Sequence, residues 1–180
     1  MKKISKQEYN FNLMYLLIEE KFKNLKDKIN RDYFIHCFNV YTNVLRSIET
    51  YSKLYNFIYT KEDHSIYQIT SLGHDIIEDL SDGEELLIAC LNKKIINKQC
   101  IDSIKILTKI KNESYNSYIQ KIVDSNDEYA ILTKICDIQE HLNNIHLIID
   151  NKTKDRLLKK YNLENLNSLI NKYIEIKSKR

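Results

Sequence analysis

A chain of 180 residues with 28 basic and 25 acidic side chains can bury a sizeable core and has no charge excess that argues for nucleic acid. No apolar stretch is long enough to span a bilayer, and the first residues lack the apolar core of a secretory signal. The expectation is therefore a cytoplasmic protein with neither a membrane nor a nucleic-acid partner. Cys37, Cys90, Cys100 and Cys136 have no CxxC spacing, which argues against a zinc knuckle and suits small, reduced, buried side chains. Proline is absent and glycine occurs only at Gly73 and Gly83, so loops must be built from Asn, Asp, Ser and Lys. The abundance of Ile, Asn, Lys and Tyr matches the bias of an AT-rich genome and carries little functional weight.

Helical periodicity runs through nearly every segment. Ser5-x-x-Glu8 is a capping box opening a helix whose buried stripe is expected at Phe11, Leu13, Leu16 and Leu17. After a polar connection from Asn24 to Asn30, Asp32 starts a long helix to about Asn56. Its inner side would carry Ile35, His36, Val40, Val44, Leu45 and Ile48. Asp63 is the expected cap of the next helix, with Ile66, Ile69, Leu72, Ile76, Ile77 and Leu80 on a broad apolar face. Gly73 interrupts that pattern at a cost of roughly 1 kcal/mol relative to Ala, which makes sense where a neighbouring helix must come close. Ser81-x-x-Glu84 reads as a second capping box. Asn97 opens a helix reaching Ile110; Tyr115 to Val123 forms a short one; Asn126 caps a long one with Asp137 on its flank. The last helix starts near Thr153 and frays in lysines. These elements predict an all-α protein in one domain, with no repeat or linker.

One stretch concentrates the chemistry: Gly73-His74-Asp75-Ile76-Ile77-Glu78-Asp79. Read as helix, it sets His74 four residues from Glu78 and Asp75 four residues from Asp79, on adjoining parts of one surface. Three carboxylates and an imidazole so close together repel unless a cation sits among them, although a solvated acidic turn has the same composition. His36 and Asp137, from two other helices, would complete a set of two imidazoles and two carboxylates. That set balances a divalent charge and suits Mn²⁺, Fe²⁺ or Zn²⁺. Glu78 and Asp79, one turn on, are placed to orient or deprotonate a water.

These residues resemble the HD superfamily of metal-dependent phosphohydrolases, with its histidine, adjacent His-Asp and distant Asp. The closest resemblance is to the hydrolase domain of the RelA/SpoT type and the small alarmone hydrolases. Tyr33-Phe34-Ile35-His36 with Val40 resembles the first-histidine helix, and Leu72 to Asp79 resembles the HDxxED helix. Leu107-Thr108-Lys109, the Ser114-Tyr115 and Tyr118-Ile119 pairs, Lys134-Ile135-Cys136-Asp137 and the run from Asp155-Arg156 to Lys160-Tyr161 resemble later motifs of the same branch. The resemblance covers roughly residues 28 to 170. It implies a single HD-type bundle of about seven to nine helices. His36, His74, Asp75 and Asp137 would hold Mn²⁺, with Glu78 and Asp79 as the catalytic pair.

The reaction it implies is removal of the 3′-pyrophosphate from guanosine tetra- or pentaphosphate, a small-molecule nucleotide substrate. Lys28, Arg31, Lys111, His141, Asn144 and Tyr161 are the candidate substrate contacts. Two departures stand out. His141 occupies the position where the family has a nucleotide-binding asparagine, and His141 could itself reach substrate or metal. The connection around Tyr51 to His64 is longer than in alarmone hydrolases and could reshape the pocket. Another nucleotide (a nucleoside monophosphate, NADPH or a signalling nucleotide) is the alternative substrate. A non-catalytic nucleotide-binding or antitoxin-like module is the alternative class. Oligomeric state is not legible.

Overall fold

The structure is a computed structural model, and it describes residues 5–180, so the Lys2-Lys3 pair lies outside the described residues. Among these residues there are ten α-helices: α1 Lys6–Phe22, α2 Tyr33–Tyr55, α3 Lys61–Leu72, α4 Ile76–Asp79, α5 Gly83–Asn92, α6 Lys98–Leu107, α7 Tyr115–Asp124, α8 Glu128–Asn144, α9 Asn151–Lys160 and α10 Leu163–Lys177. A 3₁₀ turn, Ile145–Leu147, follows α8, and the described residues contain no strand beyond one isolated bridge between Lys26 and Asp32. The all-α expectation holds. The count exceeds seven to nine because two stretches read as continuous are broken, one between Leu72 and Ile76 and one between Lys160 and Leu163.

Helix α8 is the axis of the bundle and packs against α2, α3, α6 and α10. Twelve of its 17 residues are buried. A helix covered on nearly all sides must find partners for every polar group it carries. That requirement falls on Glu128, Thr133, Lys134, Asp137 and Glu140, all buried on this one helix. Asp137 is therefore interior, where a flanking position was expected.

Several local expectations shift by a residue or a face. The α1 stripe is Met14, Ile18 and Phe22, spaced i, i+4, i+8, whereas Leu16 is 60% exposed. Thr60 caps α3, with Asp63 as the third residue of the same capping box. The cap of α8 is Asp127, which accepts from the Ala130 amide at 2.8 Å. Asp82 precedes α5 without a side-chain cap, so the expected Ser81 box does not form. Helix α6 stops at Leu107, short of Ile110.

Glycine matters most at Gly83. A Cβ there would lie 2.1 Å from the Ile76 carbonyl oxygen and 2.7 Å from its carbon, so α5 rests directly on the backbone of α4. At Gly73 a Cβ would meet Ile69 O and Ile76 Cδ1 at 3.2 Å and Ile104 Cδ1 at 3.4 Å. Gly83→Ala is expected to lower stability by about 1–3 kcal/mol, since backbone rather than a flexible side chain must yield. Urea denaturation measures it, and a loss below about 0.5 kcal/mol would mean that this contact is slack.

The α2–α3 connection is built onto α10. Tyr51 lies 5.2 Å from the Tyr173 ring, and the Tyr59 and Tyr67 hydroxyls each stand 3.0 Å from the Tyr173 hydroxyl. Lys177 donates to the Ile58 carbonyl at 3.4 Å and sits over the Tyr59 ring. This connection thus consolidates the α10 end of the bundle, and none of the hydrogen bonds of the histidine–aspartate cluster involves it.

Candidate metal centre

The His74-Asp75 pair sits in the turn between α3 and α4, not within a continuous helix as the spacing suggested. Gly73 ends α3 at φ −101°, ψ 12°, and Asp75 occupies the cap of α4 at φ −99°, ψ 2°. A helix end leaves carbonyls without amide partners. His74 Nδ1 uses one of them, donating to Ser71 O at 2.8 Å, which sets the tautomer and aims Nε2 inward. Helix α2 brings His36 and α8 brings Asp137 to the same point.

The separations are short. His74 Nε2 lies 3.0 Å from Asp75 Oδ2 and 3.9 Å from Asp137 Oδ1. His36 Nε2 lies 3.4 Å from Asp137 Oδ1 and 3.6 Å from Asp75 Oδ2. Both Nε2 atoms are buried and have no hydrogen-bond partner. Two orphaned imidazole nitrogens facing two carboxylates at these spacings fit donors that each stand about 2.0–2.2 Å from one shared cation. The set His36, His74, Asp75 meets the geometric requirement for a divalent metal, as does the overlapping set His36, Asp137, His141.

Neighbours hold each donor in place. His36 Nδ1 is 2.8 Å from Glu140 Oε2, and Glu140 in turn takes Arg31 Nη2 at 2.8 Å. The Tyr33 hydroxyl donates to Asp75 Oδ2 at 2.7 Å, and Lys134 Nζ donates to Asp137 Oδ2 at 2.7 Å. Such outer hydrogen bonds orient metal ligands and tune their basicity. Tyr33, Lys134 and Glu140 were not singled out from sequence as functional. For Glu140 a signal existed: an acid three residues after Asp137 shares its helix face.

The electrostatics follow from this packing. Burial opposes a charge on His36, but the carboxylates of Asp137, Asp75 and Glu140 outweigh it and hold its pKa well above the usual imidazole range. Burial likewise opposes ionisation of Asp75 and Asp137; His74 and His36 overcome it for the first, Lys134 and His141 for the second, and both stay well below the usual carboxylate range. A divalent cation among the same atoms would take the place of the imidazole proton. Burial and the charge of Asp75 raise Asp79.

The remaining candidates divide. Glu78 is exposed and accepts from the Lys109 amide at 3.2 Å, at the end of α6. Lys28 Nζ reaches His141 Nε2 at 3.1 Å and the Tyr161 hydroxyl at 3.2 Å, and the Tyr161 ring stacks on His141 with centroids 4.9 Å apart. These three form one wall beside the metal set. Arg31 is engaged by Asp27 and Glu140, both at 2.8 Å. Asn144 Nδ2 donates to the Glu140 carbonyl and carboxylate at 2.8 and 3.0 Å. Arg31 and Asn144 therefore both brace Glu140. Lys111 is exposed on the α6–α7 connection and joins none of these hydrogen bonds. Lys160 also borders this wall, with its ammonium 5.0 Å from the Tyr161 ring centroid and 4.9 Å from that of Tyr115. Burial, Lys28 and Lys134 lower its pKa to about 8.

Fold and cluster together define an all-α bundle built round a buried histidine–aspartate cluster. Among solved structures, the chain is similar to a metazoan ortholog of SpoT that hydrolyses ppGpp and plays a role in starvation responses. The TM-score is 0.64 at 18% identity, over 100% of this chain and 98% of that one. No protein-family profile and no curated protein sequence matches the chain. No described helix is long and apolar enough to cross a membrane.

Proposed function

We propose that the chain is one HD-type domain that hydrolyses a nucleotide with a divalent metal, Mn²⁺ by preference, removing the 3′-pyrophosphate of (p)ppGpp. The observation that carries this reading is the meeting of His36, His74, Asp75 and Asp137, with two orphaned Nε2 atoms, on a fold shared with a ppGpp hydrolase. Those four residues would hold the cation, which supplies a water of lowered pKa and polarises the phosphoryl group. Glu78 and Asp79, one turn beyond, orient that water and accept its proton. Lys134, Tyr33 and Glu140 keep the ligands in register. Lys28 and Lys160 present ammonium groups to the polyphosphate, and the Tyr161 face lies beside the base or ribose.

Incubating the purified chain with Mn²⁺ and ppGpp is expected to release pyrophosphate and GDP in equal amounts, with loss of activity on chelation. A panel including NADPH and nucleoside monophosphates sets the preference. Turnover of one of those with no pyrophosphate from ppGpp would reject the alarmone assignment and keep the metal chemistry. Biological activity that survives His74→Ala and Glu78→Ala would instead favour a binding module.

A further inference from the structure

We infer that His141 is a further donor to the divalent cation, and that the Lys28 ammonium competes with the cation for its lone pair. The inference rests on the metal-centre reading above and extends its donor set to a third imidazole. His141 and His36 stack with ring centroids 4.8 Å apart and planes 16° from parallel. Their Nδ1 atoms face one carboxylate, Glu140 Oε2, at 3.8 Å for His141 and 2.8 Å for His36. Their Nε2 atoms face another, Asp137 Oδ1, at 3.3 Å for His141 and 3.4 Å for His36. An imidazole whose Nδ1 is turned to a buried carboxylate presents Nε2 as the coordinating atom. The two rings are thus aimed alike, with only His36 Nδ1 within hydrogen-bond distance of Glu140, and His36, Asp137 and His141 satisfy the spacing of a metal set.

The difference between them is Lys28. No hydrogen bond reaches His36 Nε2, whereas Lys28 Nζ sits 3.1 Å from His141 Nε2 and 3.2 Å from the Tyr161 hydroxyl. A lone pair that accepts from an ammonium cannot bind a metal at the same time. Lys28 is exposed, so its side chain can swing aside without disturbing the core. When it does, the freed ammonium stays tethered at the Tyr161 wall, where the polyphosphate would arrive. Metal loading and availability of a phosphate-binding cation are then linked through one nitrogen.

The test is Mn²⁺ affinity, read by electron paramagnetic resonance of the free ion, together with the visible absorption of the Co²⁺-loaded protein. His141→Asn is expected to weaken Mn²⁺ binding about 10–100-fold and to change the Co²⁺ bands. Lys28→Met should tighten Mn²⁺ binding several-fold. Lys160→Met removes an equal charge that does not touch His141, and it should leave affinity within about twofold. Wild-type affinity and spectrum in His141→Asn would overturn the inference. So would equal tightening by both lysine variants, which would make the effect a matter of net charge; this comparison decides the matter even if His141→Asn does not fold. If the wild type binds no divalent ion, or His74→Ala binds as well as wild type, the metal-centre reading fails with it. If His74→Ala abolishes binding while His141→Asn does not alter it, only the present inference fails.

Discussion

Lys134→Met is expected to destabilise the chelated protein by about 3–5 kcal/mol, the cost of stranding a buried charge without its partner. Lys134 lies in the interior with its ammonium on Asp137 Oδ2 at 2.7 Å and 4.9 Å from the Tyr118 ring centroid. Burial opposes its charge, yet Asp137, Tyr118 and Tyr115 hold its pKa well above the usual lysine range. Removing it leaves Asp137 facing only the imidazoles of His36, His74 and His141. Mn²⁺ should restore part of the loss, because a bound cation supplies the missing charge and stabilises the native state by mass action, about 2.7 kcal/mol at 100 times Kd. Urea titrations with and without metal measure both effects. A loss under about 1 kcal/mol with no metal dependence would show that Asp137 does not depend on this lysine.

The second large effect lies at the other end of the cluster. Glu78→Gln and Asp79→Asn should each lower turnover by about 10²–10⁴-fold, the usual contribution of a positioned acid or base. Neither residue belongs to the metal set, so Mn²⁺ affinity should stay near wild type in both. The two carboxylates differ in setting: Glu78 leans on the Lys109 amide, whereas burial and then the charge of Asp75 raise the pKa of Asp79. Whichever variant loses more turnover at unchanged metal affinity carries the proton. If both retain wild-type turnover, the water is activated elsewhere.

The expected donors His36, His74, Asp75 and Asp137 do meet, because each belongs to a motif with its own local pattern. Their meeting point also depends on a break that periodicity alone conceals. The apolar positions from Ile66 to Leu80 read as one helix, and only the structure shows that α3 stops at Leu72 and α4 begins at Ile76. Arg31 and Asn144, expected as substrate contacts, both donate to Glu140. A buried carboxylate draws nearby donors, and the burial of Glu140 is a property of the packed α8 rather than of its neighbours in the chain. Lys160 stands in the Lys160-Tyr161 motif pair, yet on a lysine-rich helix periodicity alone does not separate it from Lys159.

What the sequence by itself determined is the helical class, the capped α1, and four candidate donors, since these depend on short-range spacing and on residue chemistry. What only the tertiary structure decided is orientation. It turned the His74-Asp75 pair inward at a helix break, placed Glu140 behind both His36 and His141, and set Lys28 on the His141 lone pair. Those relations join residues as much as 113 positions apart, and the energy that selects them is the desolvation of charges inside the bundle, which no local pattern encodes.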